Sequence, residues 1–445
     1  MHPTSLENMQ RCWDRYVRAT DLESQEKLVV LDVGGADVNG SYRRIFNSPN
    51  IEYLVADLED GPGVSVRMDD PYKIPVEDAS VDLVISGQML EHCEFFWLSF
   101  SEMMRVVKPD GYLFLIAPSS GGIHRHPVDC YRFHPDAYHA LAKHARCKLV
   151  DVWHDQRGTW RDLVGVFSWR ADREPRLARH VESLPVAPSP SDQNPEEEVI
   201  GGQTHYREVL ETIHDVLRPE LYLEIGVSFG ASMALAKGPA VGVDPKLAPN
   251  RPLPESARLV EMQSDDFFEK EAANVLKCEP DLVFIDGMHL FEYALRDFMN
   301  VEAVASPNAL VVVDDIFPNH PAQAKRDRST RFWTGDVWKL HHLLSKERPD
   351  LFLMPVDTSP TGLLLIWGLD SSNRRLWERY DKYIRSYVHA DLAVPPEVIA
   401  RRDAISPDEV NGVLEAIAAM RGKRGSREKR VARLRALAGV EELKG

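Results

Sequence analysis

Short runs of apolar residues recur along the chain in one order, and that order appears twice. In each half, an apolar run leads into a glycine-containing turn and a helical stretch, then a run ending in aspartate, then two more apolar runs. Such runs, separated by helical stretches, are typical of parallel strands with crossover helices. The predicted strands are Leu28–Val33, Tyr53–Ala56, Val81–Ser86, Tyr112–Ala117, Leu221–Ile225, Ala240–Val243, Leu282–Ile285 and Ala309–Val313. The pattern predicts an α/β protein with two mainly parallel, twisted sheets.

The length of 445 residues suits two domains of about 200 residues each. Between the two halves, residues 183–202 contain four prolines and an acidic run, a composition typical of a linker. Beyond about Asp370 the pattern becomes helical and charged. We therefore predict a first domain at 1–182, a linker at 183–202, a second domain at 203–370 and a helical charged tail at 371–445.

The net charge of −16 disfavours nucleic acid as a partner, because an acidic surface repels phosphate. The basic run 421–435 is interpreted as a solvated helix face, with an anion or membrane-surface contact as the alternative. No apolar run is long enough for a membrane span, and no signal peptide opens the chain. None of the five cysteines forms a CxxC pair, which favours reduced thiols. We expect the protein to be cytoplasmic. The sequence leaves open whether it forms a homo-oligomer.

A glycine-rich turn, DVGGADVNG, follows the first predicted strand. Ligands of open α/β sheets bind beyond the carboxyl ends of the strands, where glycine lets the backbone approach them closely. An aspartate ending the next strand suits the hydroxyls of a ribose, and a later one suits an adenine. The spacing GGxxxxG departs from the GxGxxG of dinucleotide sites and makes a nicotinamide oxidoreductase the less favoured alternative. The candidate cofactor-binding residues are Asp32, Gly34, Gly35, Asp57 and Asp70.

This half resembles the class I S-adenosylmethionine-dependent methyltransferases of the small-molecule type. The resemblance rests on the turn and on the stretches DLVIS, LEH and MRVVKPDGY, and it covers about Leu28–Tyr138. It implies a Rossmann-like domain in which Gly34, Gly35, Asp57 and Asp70 line S-adenosylmethionine. Ala36 stands where the family often has glycine.

A polar loop, HRHPVDCYRFH, follows the last strand of that half. A histidine of near-neutral pKa can accept a proton from a substrate hydroxyl. We therefore predict His124 as a general base oriented by Asp129, with internal charge pairing of the loop as the alternative. This half lacks a cluster of acidic strand ends, so we expect its activity to need no metal.

The second half repeats the arrangement with the turn EIGVSFGAS. The candidate cofactor-binding residues there are Glu224, Gly226, Gly230, Asp244 and Asp265. Two further apolar strands end in Asp286 and in Asp314–Asp315. Carboxylates gathered at one sheet edge repel each other unless a cation lies among them, and such oxygen ligands suit Mg²⁺, Mn²⁺ or Ca²⁺. The alternative is that some of these carboxylates cap helices or bind backbone amides.

This half resembles the metal-dependent sugar O-methyltransferases of the macrocin O-methyltransferase type, over about Leu221–Leu369. The residues concerned are DGMH at 286–289, Asp297, Asp314–Asp315 and WTGDVW at 333–338. The resemblance implies a divalent metal, Mg²⁺ above all, on Asp286, Asp314 and Asp315, with His289 as base. The alternative for His289 is a structural histidine at a helix start. Trp333 and Trp338 could stack on a sugar or belong to the core.

Together these features predict a bifunctional S-adenosylmethionine-dependent O-methyltransferase. Its acceptor would be a hydroxyl of a sugar, a glycan or a glycosylated natural product. The alternative is one active domain fused to a non-catalytic domain that binds cofactor or glycan, and the first domain is then the passive one because it lacks the acidic cluster.

Overall fold

The computed structural model describes residues 2–18, 22–37, 40–170, 194–390, 392–421 and 426–440. They form two compact units. One contains the described residues of Met1–His180 together with Trp377–Arg385, and the other contains those of Val181–Leu376 and Ser386–Gly445. Residues 183–193 of the predicted linker lie outside the described residues. The tail predicted at 371–445 is thus divided between the two units.

The first unit is built on a seven-stranded sheet with the strand order β3-β2-β1-β4-β5-β7-β6. Strand β7 is antiparallel to both of its neighbours, and the other described pairings are parallel. The elements are α1 (Pro3–Tyr16), β1 (Leu28–Val33), β2 (Ile51–Asp57), β3 (Val66–Arg67), β4 (Val81–Gly87), α2 (Phe96–Val106), β5 (Val107–Pro118), α3 (Pro135–Ala145), β6 (Lys148–His154) and β7 (Asp162–Ser168).

Alternation along the central strands separates the core of this unit into two layers. On β5, Phe114 and Ile116 pack in the cluster that includes Trp13 of α1. Leu113 and Leu115 lie in the other cluster, which contains the buried side chains of α2 and α3. Because successive strand residues point to opposite faces, a strand buried on both sides reads as one continuous apolar run.

The second unit repeats the same sheet, with the order β11-β10-β9-β12-β13-β16-β14 and β16 antiparallel to both neighbours. Its elements up to the last strand are β8 (Thr204–His205), α4 (Tyr206–Leu217), β9 (Tyr222–Ile225), β10 (Ala240–Asp244), β11 (Ala257–Glu261), α5 (Ser264–Asp266), α6 (Ala272–Val275), β12 (Leu282–Ile285), α7 (Phe291–Val304), β13 (Leu310–Val313), α8 (Trp338–Glu347), β14 (Phe352–Val356), β15 (Thr358–Ser359) and β16 (Leu363–Trp367).

Five more helices follow: α9 (Arg375–Glu378), α10 (Tyr380–Tyr387), α11 (Pro396–Ile399), α12 (Val410–Met420) and α13 (Arg427–Ala438). Helices α12 and α13 bury apolar side chains in the same core cluster as α4. Residues 427–435 of the basic run therefore lie in helix α13, whose apolar face, including Val431 and Leu434, packs in the core of the second unit. The described end of the predicted linker also belongs there, since Gln323 donates hydrogen bonds to the carbonyls of Glu197 and Val199 at 2.8 and 2.7 Å.

All eight strands predicted from the apolar runs are present, and the prediction of two Rossmann-like α/β domains is confirmed. The remaining strands were not predicted; of these, β3 has only two residues, and β11, β14 and β16 have five each. Among the described residues, no helix is long and apolar enough to cross a membrane.

Candidate active sites

The turn after β1 brings a backbone amide to the acid at the end of β2. Gly34 has φ +76° and donates its N–H to the carbonyl of Ala56 at 2.8 Å. Asp57 accepts the N–H of Ala36 at 3.1 Å and that of Leu58 at 2.7 Å. The carboxylate predicted to bind a ribose is therefore fixed beside the glycine turn.

The second unit builds the same arrangement at the same positions relative to its strands. Gly226 has φ +92° and donates to the carbonyl of Val243 at 2.9 Å. Asp244 accepts the N–H of Ser228 at 2.8 Å and that of Lys246 at 2.6 Å. A Cβ on Gly226 would lie 1.9 Å from the carbonyl oxygen of Asp286, so only glycine fits there.

The acids that open the two turns, Asp32 and Glu224, are almost completely buried. Tyr53 donates a hydrogen bond to Asp32 at 2.6 Å, and Tyr222 donates one to Glu224 at 2.6 Å. Burial raises the pKa of Asp32 to about 7 and that of Glu224 to about 8. A Cβ on Gly35 would lie 2.3 Å from the Asp32 carboxyl carbon, so this acid supports its turn from beneath.

The remaining predicted cofactor residues differ in exposure. Asp70 is exposed and accepts the N–H of Tyr72 at 2.8 Å. Asp265 accepts a hydrogen bond from Nε of Arg296 at 2.9 Å. Gly230 has φ +75° within the second turn. Asp70 lies shortly after β3, and Asp265 lies shortly after β11, the corresponding strand of the second sheet.

In the first unit, the His-rich loop is held by its own charges. Arg132 donates two hydrogen bonds to Asp129, at 2.6 and 2.8 Å, and these bonds hold the pKa of Asp129 below its usual range. Asp129 also accepts the backbone N–H of His124 at 2.8 Å, and its Oδ2 lies 3.4 Å from Nδ1 of His124. The two predicted residues are thus adjacent, and the charge pairing weighed as the alternative is present as well.

Two residues that were not predicted as site residues, Glu91 and His92, lie beside that loop. They follow β4, while His124 follows the neighbouring β5. Glu91 is fully buried, and burial raises its pKa to about 8. Burial lowers the pKa of His92. The sequence did carry a signal for these two residues, because LEH follows a predicted strand. The sequence analysis used this stretch only as part of the resemblance to class I methyltransferases.

In the second unit, residues after two neighbouring parallel strands, β12 and β13, converge. Nδ1 of His289 lies 2.7 Å from Oδ2 of Asp315, and Nε2 lies 3.5 Å from Oδ1 of Asp286. The ligand atoms of these three residues all lie within 4.8 Å of one another. Asp314 lines the same cleft, and its Oδ1 accepts the N–H of Asp315 at 2.8 Å.

The acids and the histidine of this cleft have strongly shifted pKa values. Burial, together with the neighbouring carboxylates, raises the pKa of Asp286 to about 7 and raises that of Asp314. Burial opposes the charge on His289, yet Asp315 and Asp286 outweigh it and raise the pKa of His289 to about 10. A divalent cation would relieve the repulsion between the carboxylates, and a donor set rich in carboxylate oxygen fits such an ion.

Both tryptophans of the WTGDVW segment are buried, each 4% exposed. The ring of Trp333 stacks on His289 with centroids 5.3 Å apart and an interplanar angle of 4°, and its carbonyl lies 2.9 Å from Nδ1 of the same histidine. Trp338 belongs to α8. The core alternative is therefore right, and Trp333 fixes the orientation of His289.

Asp297 of α7 also lines this cleft, although the sequence analysis included it only in the resemblance. Burial raises its pKa to about 7, and among the described residues its Oδ1 has no hydrogen-bond partner. Its position on a helix, away from the strand ends, explains why strand-based reasoning did not select it.

Comparison with protein families finds two matches, one in each unit. Residues 26–115 match one methyltransferase-domain model, and residues 223–316 match a second, different methyltransferase-domain model. The chain therefore carries two methyltransferase domains and is an enzyme of the methyltransferase class. No curated protein is similar enough in sequence to count as a relative.

Solved structures similar to this chain include a SAM-dependent methyltransferase from Aquifex aeolicus, at 16% identity over 38% of this chain and 97% of that chain, with a TM-score of 0.25. A SAM-dependent methyltransferase from Archaeoglobus fulgidus matches at 14% identity over 37% and 94%, with a TM-score of 0.30. The O-methyltransferase TomG from Streptomyces achromogenes, solved with SAM, matches at 19% identity over 37% and 80%, with a TM-score of 0.29. The assignment to the methyltransferase class rests on the two domain matches.

Proposed function

We propose that this chain is a bifunctional S-adenosylmethionine-dependent O-methyltransferase acting on hydroxyls of a sugar, a glycan or a glycosylated natural product. The observation that carries the proposal is the repeated turn. In each unit a positive-φ glycine after the first strand stands beside an aspartate at the end of the second strand.

In this proposal each turn receives one S-adenosylmethionine, which supplies a reactive methyl group. Asp57 and Asp244 bind the ribose hydroxyls, since each carboxylate retains free lone pairs beyond its backbone hydrogen bonds. Asp70 and Asp265 lie on the adenine side. The buried acids Asp32 and Glu224 position the turns, and Gly34, Gly35, Gly226 and Gly230 allow close approach of the backbone.

The second unit holds a divalent metal, Mg²⁺ in the first instance, on Asp286, Asp314 and Asp315. Such an ion supplies positive charge that favours loss of a proton from a sugar hydroxyl. A cation bound by the carboxylates would offset the negative charge that raises the pKa of His289, and the ring would then be neutral and able to take that proton. Trp333 and Asp315 fix the orientation of the ring. In the first unit, His124 faces the acceptor and Asp129 positions the loop that carries it.

Labelled methyl transfer to a panel of glycosides tests the proposal in the full-length chain. At a cofactor concentration that fills only the unaltered site, Asp57→Ala reports the second unit and Asp244→Ala reports the first. With Asp57→Ala, we expect chelation to abolish transfer and Mg²⁺ or Mn²⁺ to restore it. Full activity after exhaustive chelation would contradict the metal assignment, and no transfer by either variant or the parent would contradict the acceptor class.

Two substitutions separate the roles in the second unit. Asp314→Asn should raise the Mg²⁺ concentration needed for half activity, because it removes charge from the site. His289→Ala should lower turnover about 10²–10⁴-fold, the usual range for loss of a general base, and leave the metal demand unchanged. A raised metal demand in His289→Ala would instead make this histidine a ligand.

A further inference from the structure

The first unit contains a cluster of three metal-binding side chains, two of which have no role in its predicted chemistry. Glu91, His92 and His124 place one ligand atom each within 4.8 Å of one another. We propose that these residues bind a divalent transition metal of the zinc type. The site is separate from the carboxylate cleft of the second unit and does not depend on the proposed methyl acceptor.

The strongest observation is the state of the Glu91 carboxylate. The side chain is fully buried, and neither of its oxygens has a hydrogen-bond partner among the described residues. Oε1 lies 3.7 Å from Nε2 of His92, which is too long for a hydrogen bond. A buried carboxylate without partners is costly, and an ion between these atoms accounts for it.

The histidines are oriented as metal ligands are. Nδ1 of His92 lies 2.6 Å from the carbonyl oxygen of Val128, so that nitrogen carries the proton and Nε2 keeps its lone pair towards Glu91. His124 is held through its backbone N–H, which donates to Oδ2 of Asp129 at 2.8 Å, while its Nδ1 lies 3.4 Å from the same oxygen without a hydrogen bond. Ligating histidines are usually held by a carbonyl or a carboxylate at the second ring nitrogen, as His92 is here.

The fold explains why the three residues meet. Glu91 and His92 lie in a short 3₁₀ turn just after β4, and His124 lies in the loop after β5. These strands are parallel neighbours, so residues that follow them gather at one edge of the sheet. The His124 side chain is 30% exposed, which leaves access to the site from solvent.

The donor set determines the class of ion. Two imidazoles and one carboxylate suit Zn²⁺ and other first-row transition metals, whereas Mg²⁺ and Ca²⁺ prefer oxygen ligands. Three protein ligands also leave positions open for another molecule. In this assignment His124 is a ligand instead of the general base predicted from the sequence, and the proposal is the alternative to the predicted metal-free first unit.

The test uses the full-length chain with Asp286→Asn and Asp315→Asn, which disable the cleft of the second unit. After removal of metal by chelation and dialysis, Zn²⁺ is titrated against a chromogenic chelator. We expect one equivalent to bind. Glu91→Gln, His92→Gln and His124→Gln should each lower the affinity by at least about tenfold, since even the loss of an outer partner of a ligand has an effect of that size. His139→Gln, at an exposed histidine of α3, should not change it.

Glu91→Gln guards against loss of folding, because it replaces a buried, unpartnered carboxylate with a neutral group of the same shape. Thermal melts give a second readout: Zn²⁺ should raise the Tm of the parent and of His139→Gln equally, and raise that of Glu91→Gln by less. Absence of zinc binding in the parent would overturn the proposal. One bound equivalent with the same affinity in all three ligand variants would overturn it as well.

Discussion

The two units share one arrangement of a glycine turn with two acids, and they differ in the side chains that lie beside this arrangement. The glycine turn, the acid beneath it and the acid at the second strand end occupy matching positions in both sheets. After the fourth and fifth strands, however, the first unit places Glu91, His92 and His124, and the second places a histidine among carboxylates. The sheet therefore fixes the position of the glycine turn in both units, whereas the loops after the fourth and fifth strands carry different side chains in the two units.

The largest expected difference between the units lies at the turn glycines. A Cβ on Gly226 would meet a backbone oxygen at 1.9 Å, whereas a Cβ on Gly34 would meet Cγ and Cβ of Met89 at 2.5 and 2.9 Å. We expect Gly226→Ala to lower the free energy of unfolding of its unit by more than roughly 4 kcal/mol. Gly34→Ala should lower that of the first unit by less: about 1–2 kcal/mol for the left-handed backbone, together with the smaller cost of moving the Met89 side chain.

Denaturant unfolding measures both effects. Gly412→Ala is the matched control, because a Cβ there meets nothing within 4 Å. Equal losses for Gly34→Ala and Gly226→Ala would show that the close approach of Asp286 to the second turn has no energetic consequence.

The sequence predicted the strands and turns well because their signals are local. Continuous apolar runs marked the central strands, and glycine with a strand-end acid marked each turn. Glu91 was not selected, since its significance depends on burial and on missing partners, which only the packed structure shows. Likewise, only the structure decides that Trp333 packs on His289, because the spacing of two tryptophans fits a core as well as a sugar platform.

The next largest effect concerns the two strand-end acids. Asp57→Ala and Asp244→Ala should each weaken S-adenosylhomocysteine at one site about ten- to a hundredfold, because each removes charge-assisted hydrogen bonds worth about 1.5–3 kcal/mol. Calorimetry with each variant measures the affinities separately. Asp69→Ala, whose side chain is 97% exposed, serves as the control. A variant that lowers the affinity of both sites equally would contradict the assignment of one acid to each unit.

A further expected effect is a pH dependence of stability. The pKa of Glu224 is raised by burial to about 8 in the folded protein, so unfolding releases its proton between the ordinary pKa of glutamate and about pH 8. The stability contributed by this group is complete below that window and is lost as the pH rises through it. Glu224→Gln should therefore flatten the decline of Tm across the window. An unchanged slope would place the ionisation elsewhere.

The central claim is that one chain holds two S-adenosylmethionine sites. Isothermal titration calorimetry of the full-length chain with S-adenosylhomocysteine tests it most directly. We predict two equivalents per chain, reduced to one by Gly226→Ala. One equivalent in the parent would leave a single active methyltransferase domain beside a passive one, and no binding at all would contradict the account.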